Sequence, residues 1–176
     1  MMVAIDIGHA RMTGARGCGQ EEHELCARMA PLLKAYLEEA GVQADVIDFP
    51  DLDNRGDLAA TVRAINSRDC TLSISLHCDA SDNPEAHGAH VCYVSESGRR
   101  LAAAIAARLC PLMPGRANRV ARRKDLYVLN NTRPVAVLVE CGFVTNEKDC
   151  RMLAQDPGRL MQAVAEGVKA YVDGNA

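Results

Sequence analysis

The sequence predicts an α/β fold: a single domain over residues 1–176, three layers deep, with a twisted, mostly parallel sheet of about six strands flanked by helices. Three observations predict it. The length, 176 residues, suits one hydrophobic core, since a second would be hard to fit at roughly 100–200 residues per domain. Apolar runs of strand length alternate with segments of helical period, the signature of parallel strands joined by helices. The run VAVLVE (135–140) is apolar on both faces, as a central strand covered on both sides must be.

The elements follow in order. VAIDI (3–7) predicts the first strand and GHARMTGARGCGQ (8–20) a glycine-rich loop. From Glu22 the apolar residues fall at 25, 29, 32, 33, 36 and 37, a helical period that Gly41 ends. ADVIDF (44–49) is a second strand and PDLDNRGD (50–57) a turn-rich loop. Residues 58–67 form a helix. LSISL (72–76) is the third strand, and the loop CDASDNPEAH (78–87) leads to a fourth, GAHVCYV (88–94). An alanine-rich helix covers about 97–110, a basic irregular stretch 114–124, and two strands LYVL (126–129) and 135–140. Asn146 caps a helix to about 154. Asp156 and Pro157 open the last one, to about 172, as N-cap and N1.

Composition narrows the function. The chain is 48% hydrophobic and 24% charged with a net charge of −3, which is globular and not the basic balance of a nucleic-acid binder. No apolar run approaches the roughly 20 residues of a membrane span. The opening MMVAIDIGHA has neither the basic nor the long apolar region of a secretory signal, so synthesis in the cytoplasm is expected. Eight cysteines lack any C-x-x-C pair; most are expected to be small buried hydrophobes. With no Trp, four Tyr and two Phe, a stacking platform for sugars or bases is not expected.

Three of the predicted strands end in a metal-competent side chain: VAIDIG runs into His9, LSISL into His77 and VAVLV into Glu140. Ligands of open α/β sheets bind beyond the carboxyl ends of the strands, so parallel neighbours would bring these three together. Helical geometry adds Glu22, at the head of the apolar stripe Leu25, Met29, Leu32, Leu33 and Leu37; Glu21 points about 100° away and Glu24 about 160°. Two imidazoles and one carboxylate make a catalytic zinc set with a position left open, and a further carboxylate, Glu140, is free to act as a base. Taken singly, each residue reads as readily as a structural group. A carboxylate closing a buried strand is harder to dismiss, because its burial is costly.

These residues sit in segments that resemble the zinc-dependent N-acetylmuramoyl-L-alanine amidases of the amidase-3 family, which includes autolysins and phage endolysins. The matching segments are IDIGHA (5–10), the helix 22–41, SISLHCDAS (73–81), GAHVCYVSESG (88–98) and VLNNTRPVAVLVECGFVTN (128–146). The resemblance implies one zinc ion per chain on His9, Glu22 and His77, with Glu140 as the catalytic glutamate. It implies hydrolysis of the amide between N-acetylmuramic acid and L-alanine in peptidoglycan, at the cell wall, on the periplasmic or extracellular face. A monomer is expected, with no nucleic-acid partner. Two departures stand out: Ala10 where the family has Gly, and Cys78-Asp79 where members often carry a small residue and Asn.

Other residues carry less. His23 begins HELCA, but position 27 is Ala, so no H-E-x-x-H motif exists. His87 and His90 read as loop or surface residues, and His87 alternatively as part of the cleft lining. Asp6 reads either as a support for a zinc histidine or as a buried structural carboxylate. Gly14, Gly17 and Gly19 are too loosely spaced to cradle a phosphate. RANRVARRK (116–124), five basic residues in nine, reads as a solvated loop, or else as an attractor of acidic groups on a stem peptide; Arg133, just before the last strand, could meet a substrate carboxylate. Two other functions stay open: a cysteine hydrolase using Cys78 or Cys141, and a non-catalytic peptidoglycan-binding domain.

Overall fold

The computed structural model describes residues 1–174; the last two positions of the predicted domain lie outside them. The elements are β1 (Met2–Ile7), a hairpin of β2 (Arg16–Gly17) and β3 (Gln20–Glu21), α1 (Glu22–Glu39), β4 (Gln43–Ile47), α2 (Asn54–Asn66), β5 (Leu72–Asp79), β6 (His90–Tyr93), α3 (Glu96–Leu109), β7 (Val120–Arg122), α4 (Tyr127–Asn131), β8 (Val135–Phe143), α5 (Glu147–Gln155) and α6 (Pro157–Asp173). Six strands form one sheet in the order β4-β1-β5-β8-β6-β7. Every pairing in it is parallel except β6 with β8. VAVLVE is central, as its pattern requires.

Alternation along the strands builds two unequal faces. Val3, Ile5, Ile74, Leu76, Val137 and Val139 point to the larger core, with Leu25, Met29 and Leu33 of α1, Ile105 and Leu109 of α3, and Leu160 and Val164 of α6. The opposite face is thinner: Ala4, Ala136 and Leu138 pack with Ile65 of α2 and Val128 and Leu129 of α4. On this face the carboxyl ends of the strands turn polar. Asp6, Ser75, His77 and Glu140 occupy positions where the periodicity would place apolar residues, and β5 and β8 align His77 directly with Glu140.

Four elements differ from expectation. LYVL is not a strand: residues 127–131 form α4, where the Asn130 and Asn131 side chains donate back to the carbonyls of Leu126 and Tyr127. A four-residue apolar run does not distinguish strand from buried helix. The missing strand lies in the basic stretch, where β7 pairs with β6 as the sheet edge; its exposed Arg122 guards that edge against further pairing. The glycine-rich loop also holds the hairpin β2–β3, whose two-residue turn, Cys18-Gly19, has both φ angles positive, as a primed turn demands. Helix α2 begins at Asn54, ahead of the predicted 58, because Asp53 caps it through the Gly56 N–H. Asp156 and Pro157 stand at N-cap and N1 of α6 as expected, without a side-chain cap bond.

Candidate metal centre and active site

The centre is assembled from three connections. His9 lies just past β1 in a left-handed conformation, φ 62°, which costs a non-glycine residue energy. Ala10 is buried without a positive φ, so the family's glycine is dispensable there. Gly8 is not: a Cβ on it would lie 2.5 Å from the His77 ring. His77 is the sixth residue of β5. Glu22 opens α1 on its inward face and is almost fully buried, as its place on the apolar stripe predicts.

The Glu22 carboxylate is the hub. Its Oε1 accepts from the Cys78 N–H at 2.9 Å and lies 3.0 Å from His77 Nδ1. Its Oε2 accepts from the Ala15 N–H at 2.7 Å and lies 3.6 Å from His9 Nε2. One donor atom from each of His9, Glu22 and His77 lies within 4.8 Å of the others, the spacing of ligands around one ion.

The outer nitrogens are also held. His9 Nδ1 faces Asn54 Oδ1 at 3.3 Å. His77 Nε2 faces Ser75 Oγ at 3.1 Å, and that hydroxyl donates to Asp6 Oδ2 at 2.5 Å. If Ser75 gives its proton to Asp6, it accepts one from His77, and His77 Nδ1 is the free ligand atom. Asp6 thus fills both roles left open by the sequence: buried among Thr61 and Ser75, it supports a histidine through one hydroxyl. Ser75→Ala is expected to weaken metal binding at this cluster by about 10–100-fold while sparing the fold, as read by chelator competition; unchanged affinity would remove Ser75 from the relay.

Charge argues the same way. Burial works against protonation of His77, yet the Glu22 hydrogen bond and the Glu140, Glu22 and Asp6 carboxylates raise its pKa to about 9. Burial works against ionised Glu22, but His77 and His9 hold its pKa below the ordinary value. The site therefore gathers more negative charge than its own residues neutralise, and a divalent cation answers that imbalance better than one proton.

Glu140 stands one strand away, level with His77. It lines a cleft of about 310 Å³ with His9 and His77. Its Oε2 is a buried acceptor without a partner among the described residues. Burial, opposed by His77 and reinforced by Asp79, pushes its pKa up to about 7, where a general base works best.

Several residues differ from their sequence reading. Glu21, although turned away from the apolar stripe, is buried and accepts from the Met12 N–H. His23 is buried, 3.0 Å from Asp48. His90 is no surface residue but a buried rung of β6 paired with Glu140; burial and then Arg116 and Arg123 lower its pKa to about 4. Within the basic stretch, Arg116 packs over Phe143 at 5.3 Å and lies 3.5 Å from Asp79, while Arg123 pairs with Asp125. Asp79, the departure from the family's Asn, is thus matched to an arginine. Ser75, Asn54, Asp57 and Arg116 were not singled out for the site; for Ser75, alternation with His77 on one strand was the available signal. His87 lies on an exposed loop, its Nδ1 2.6 Å from the Glu85 carbonyl.

The family model of the N-acetylmuramoyl-L-alanine amidases matches residues 3–170. The chain belongs to the N-acetylmuramoyl-L-alanine amidase family. It is 27% identical over 180 residues to the N-acetylmuramoyl-L-alanine amidase LytC of Bacillus subtilis, covering 96% of this chain and 35% of LytC. It is 32% identical over 156 residues to the probable cell wall amidase LytH of Staphylococcus aureus, covering 85% of this chain and 50% of LytH. The chain thus spans half or less of the length of these two relatives. The catalytic domain of the CD27L endolysin targeting Clostridia Difficile superimposes with a TM-score of 0.87 at 28% identity, over 96% of each chain. The amidase fold, the family and the enzyme class are those that the sequence motifs implied.

Asp57, one turn into α2, lines the same cleft and has a buried Oδ1 without a partner. Burial, then the Asp6 and Asp48 carboxylates, push its pKa to about 6 from an ordinary 3.8. A carboxyl raised in the folded state stabilises the amidase fully below its unfolded pKa, and that contribution disappears as pH rises through 6. Asp57→Asn is therefore expected to stabilise the protein above pH 6, by on the order of 1–3 kcal/mol, with little gain at pH 4. Thermal melts across that range check it; a gain confined to acid would reverse the sign.

Proposed function

We propose that residues 1–176 form one monomeric catalytic unit that hydrolyses the amide between the lactyl group of N-acetylmuramic acid and L-alanine in peptidoglycan. It would work at the cell wall, on the periplasmic or extracellular face. The observation that carries this reading is Glu140: an unpartnered buried acceptor aligned with His77, at the rim where His9, Glu22 and His77 converge. Those three residues would hold one zinc ion. When bound, zinc supplies Lewis acidity to the scissile carbonyl and lowers the pKa of a water toward about 7.

The chain's own residues do the rest. Asn54 and the Ser75–Asp6 pair fix the two imidazole rings. Glu140 takes the proton of the attacking water and passes it to the departing nitrogen. Its raised pKa, about 7, lets it serve as base and then as acid near neutrality.

A thiol mechanism fits poorly. Cys78 and Cys141 are buried on the opposite side of their strands from His77 and Glu140. The neighbouring Cys26 thiol and then burial hold Cys78, and burial holds Cys141, well above the ordinary thiol pKa, so neither is a ready thiolate.

Muropeptide digestion followed by mass spectrometry tests the proposal. Free stem peptides with an N-terminal alanine, and glycan bearing an intact lactyl acid, are the expected products. Exhaustive chelation should stop the reaction, zinc should restore it, and thiol alkylation of the folded protein should leave it running. A cut at a glycosidic or peptide bond, turnover without metal, or wall binding with no cleavage would each defeat the reading.

A further inference from the structure

The cleft beside Glu140 is unusual in its charge. Among the described residues four carboxylates line it, Asp6, Asp57, Asp125 and Glu140, and no lysine or arginine does. Apolar side chains such as Leu58 and Leu138 complete the wall. Asp6 is satisfied by Ser75 and Thr61, and Asp125 by Arg123. Asp57 is not: the residue is 3% exposed and its Oδ1 is buried with no partner. The groups bearing on it are Asp6 of β1, Asp48 beyond β4, His77 of β5 and His23 of α1, and none of them gives that oxygen a hydrogen bond. With its pKa near 6, Asp57 is mostly ionised at neutral pH. A buried carboxylate left unpaired is costly, and a donor or cation entering the cleft would relieve that cost.

The reaction produces such a cation next door. Hydrolysis consumes one water: its hydroxyl joins the lactyl carbonyl carbon, the C–N bond breaks, and its other proton reaches the nitrogen through Glu140. The freed alanine α-amine, with an ordinary pKa of about 8, then takes a proton from solvent and becomes an ammonium. Its birthplace is the cleft that Glu140 shares with Asp57.

We propose that the Asp57 side of the cleft is a leaving-amine subsite, in which the Asp57 carboxylate is the counter-ion of the N-terminal ammonium of the released stem peptide. This deepens the amidase reading and rests on it. The subsite holds product in preference to substrate, whose nitrogen is still a neutral amide, so stem peptides with a free amine should compete with substrate.

Three forms of L-alanyl-γ-D-glutamate test it, bound to the zinc-loaded protein at pH 7: the free amine, the N-acetyl amide and the N-trimethyl cation, which has no lone pair to offer a metal. The free amine and the trimethyl cation are expected to bind at least about tenfold more tightly than the acetyl form. In Asp57→Asn the three should converge to within about threefold, with zinc content unchanged. Equal binding of all three to the wild type, tight binding of the free amine alone, or a preference that survives in Asp57→Asn would each overturn the proposal. Should the variant not fold, the wild-type contrast between trimethyl and acetyl forms decides. A parallel muropeptide digest separates the two ideas: cleavage without a charge preference sinks the subsite alone, whereas no cleavage sinks the amidase reading.

Discussion

Glu140→Gln is expected to lower kcat on muropeptides by about 10²–10⁴-fold, the usual weight of a general base, while the protein keeps its zinc. The substitution preserves shape but removes the proton acceptor. Because Glu140 Oε2 has no protein partner, no protein hydrogen bond to that oxygen is lost. Burial raises the Glu140 pKa to about 7, so the folded state disfavours the ionised form as pH rises past that value. The glutamine variant should therefore melt no lower than the wild type at pH 8, and by the same argument somewhat higher. Activity assay, zinc content by elemental mass spectrometry and a thermal melt on one sample check all three. Loss of zinc would make Glu140 a ligand; retained activity would hand the base role to another group. A catalytic group that destabilises its own fold is the usual trade between stability and function.

How much of this was legible in the sequence varied with the kind of signal. The strands ending in His9, His77 and Glu140 were readable because a buried strand leaves few reasons for a polar terminus, and the sheet order sets β1, β5 and β8 side by side. Glu22 was readable from helical phase. What escaped were interactions fixed only by tertiary packing. Asp57 lies inside a segment whose cap, Asp53, looked like ordinary loop sequence. His90 occupies a rung beside Glu140, and nothing local distinguishes it from a loop histidine at a strand start. Arg116 belongs to a run of basic residues, yet it packs over Phe143 against Asp79 while Arg123 pairs locally with Asp125. Residue 116 precedes β7, so its inward turn depends on an edge strand the apolar pattern did not reveal. LYVL failed for a related reason: its helix is held by asparagine side chains that bond to their own backbone, a choice that composition does not announce.

Glu22 should behave in the opposite way to Glu140, and the contrast between them is the sharpest test of the centre. Both Glu22 oxygens already serve the fold, Oε1 accepting from Cys78 and Oε2 from Ala15. A glutamine there cannot mimic it, since its NH₂ must face one of those two N–H donors. An alanine leaves the buried Cys78 N–H unpaired, at about 1–3 kcal/mol, and the half-buried Ala15 N–H without its carboxylate acceptor. Either variant should lose zinc. The metal-free variants should also melt below the metal-free wild type, by roughly 5–15 °C at about 2–4 °C per kcal/mol for a chain of this size. His77 should lose its elevated pKa along with the carboxylate that sustains it, which an NMR titration of the metal-free protein would register as a shift toward ordinary imidazole behaviour. Had Glu22 been only a helix-dipole partner, its removal would cost a few tenths of a kcal/mol and no metal. Zinc retained at wild-type affinity in Glu22→Gln would show that the cluster of His9, Glu22 and His77 is a structural ion pair, and the centre would then have to be sought elsewhere on the rim.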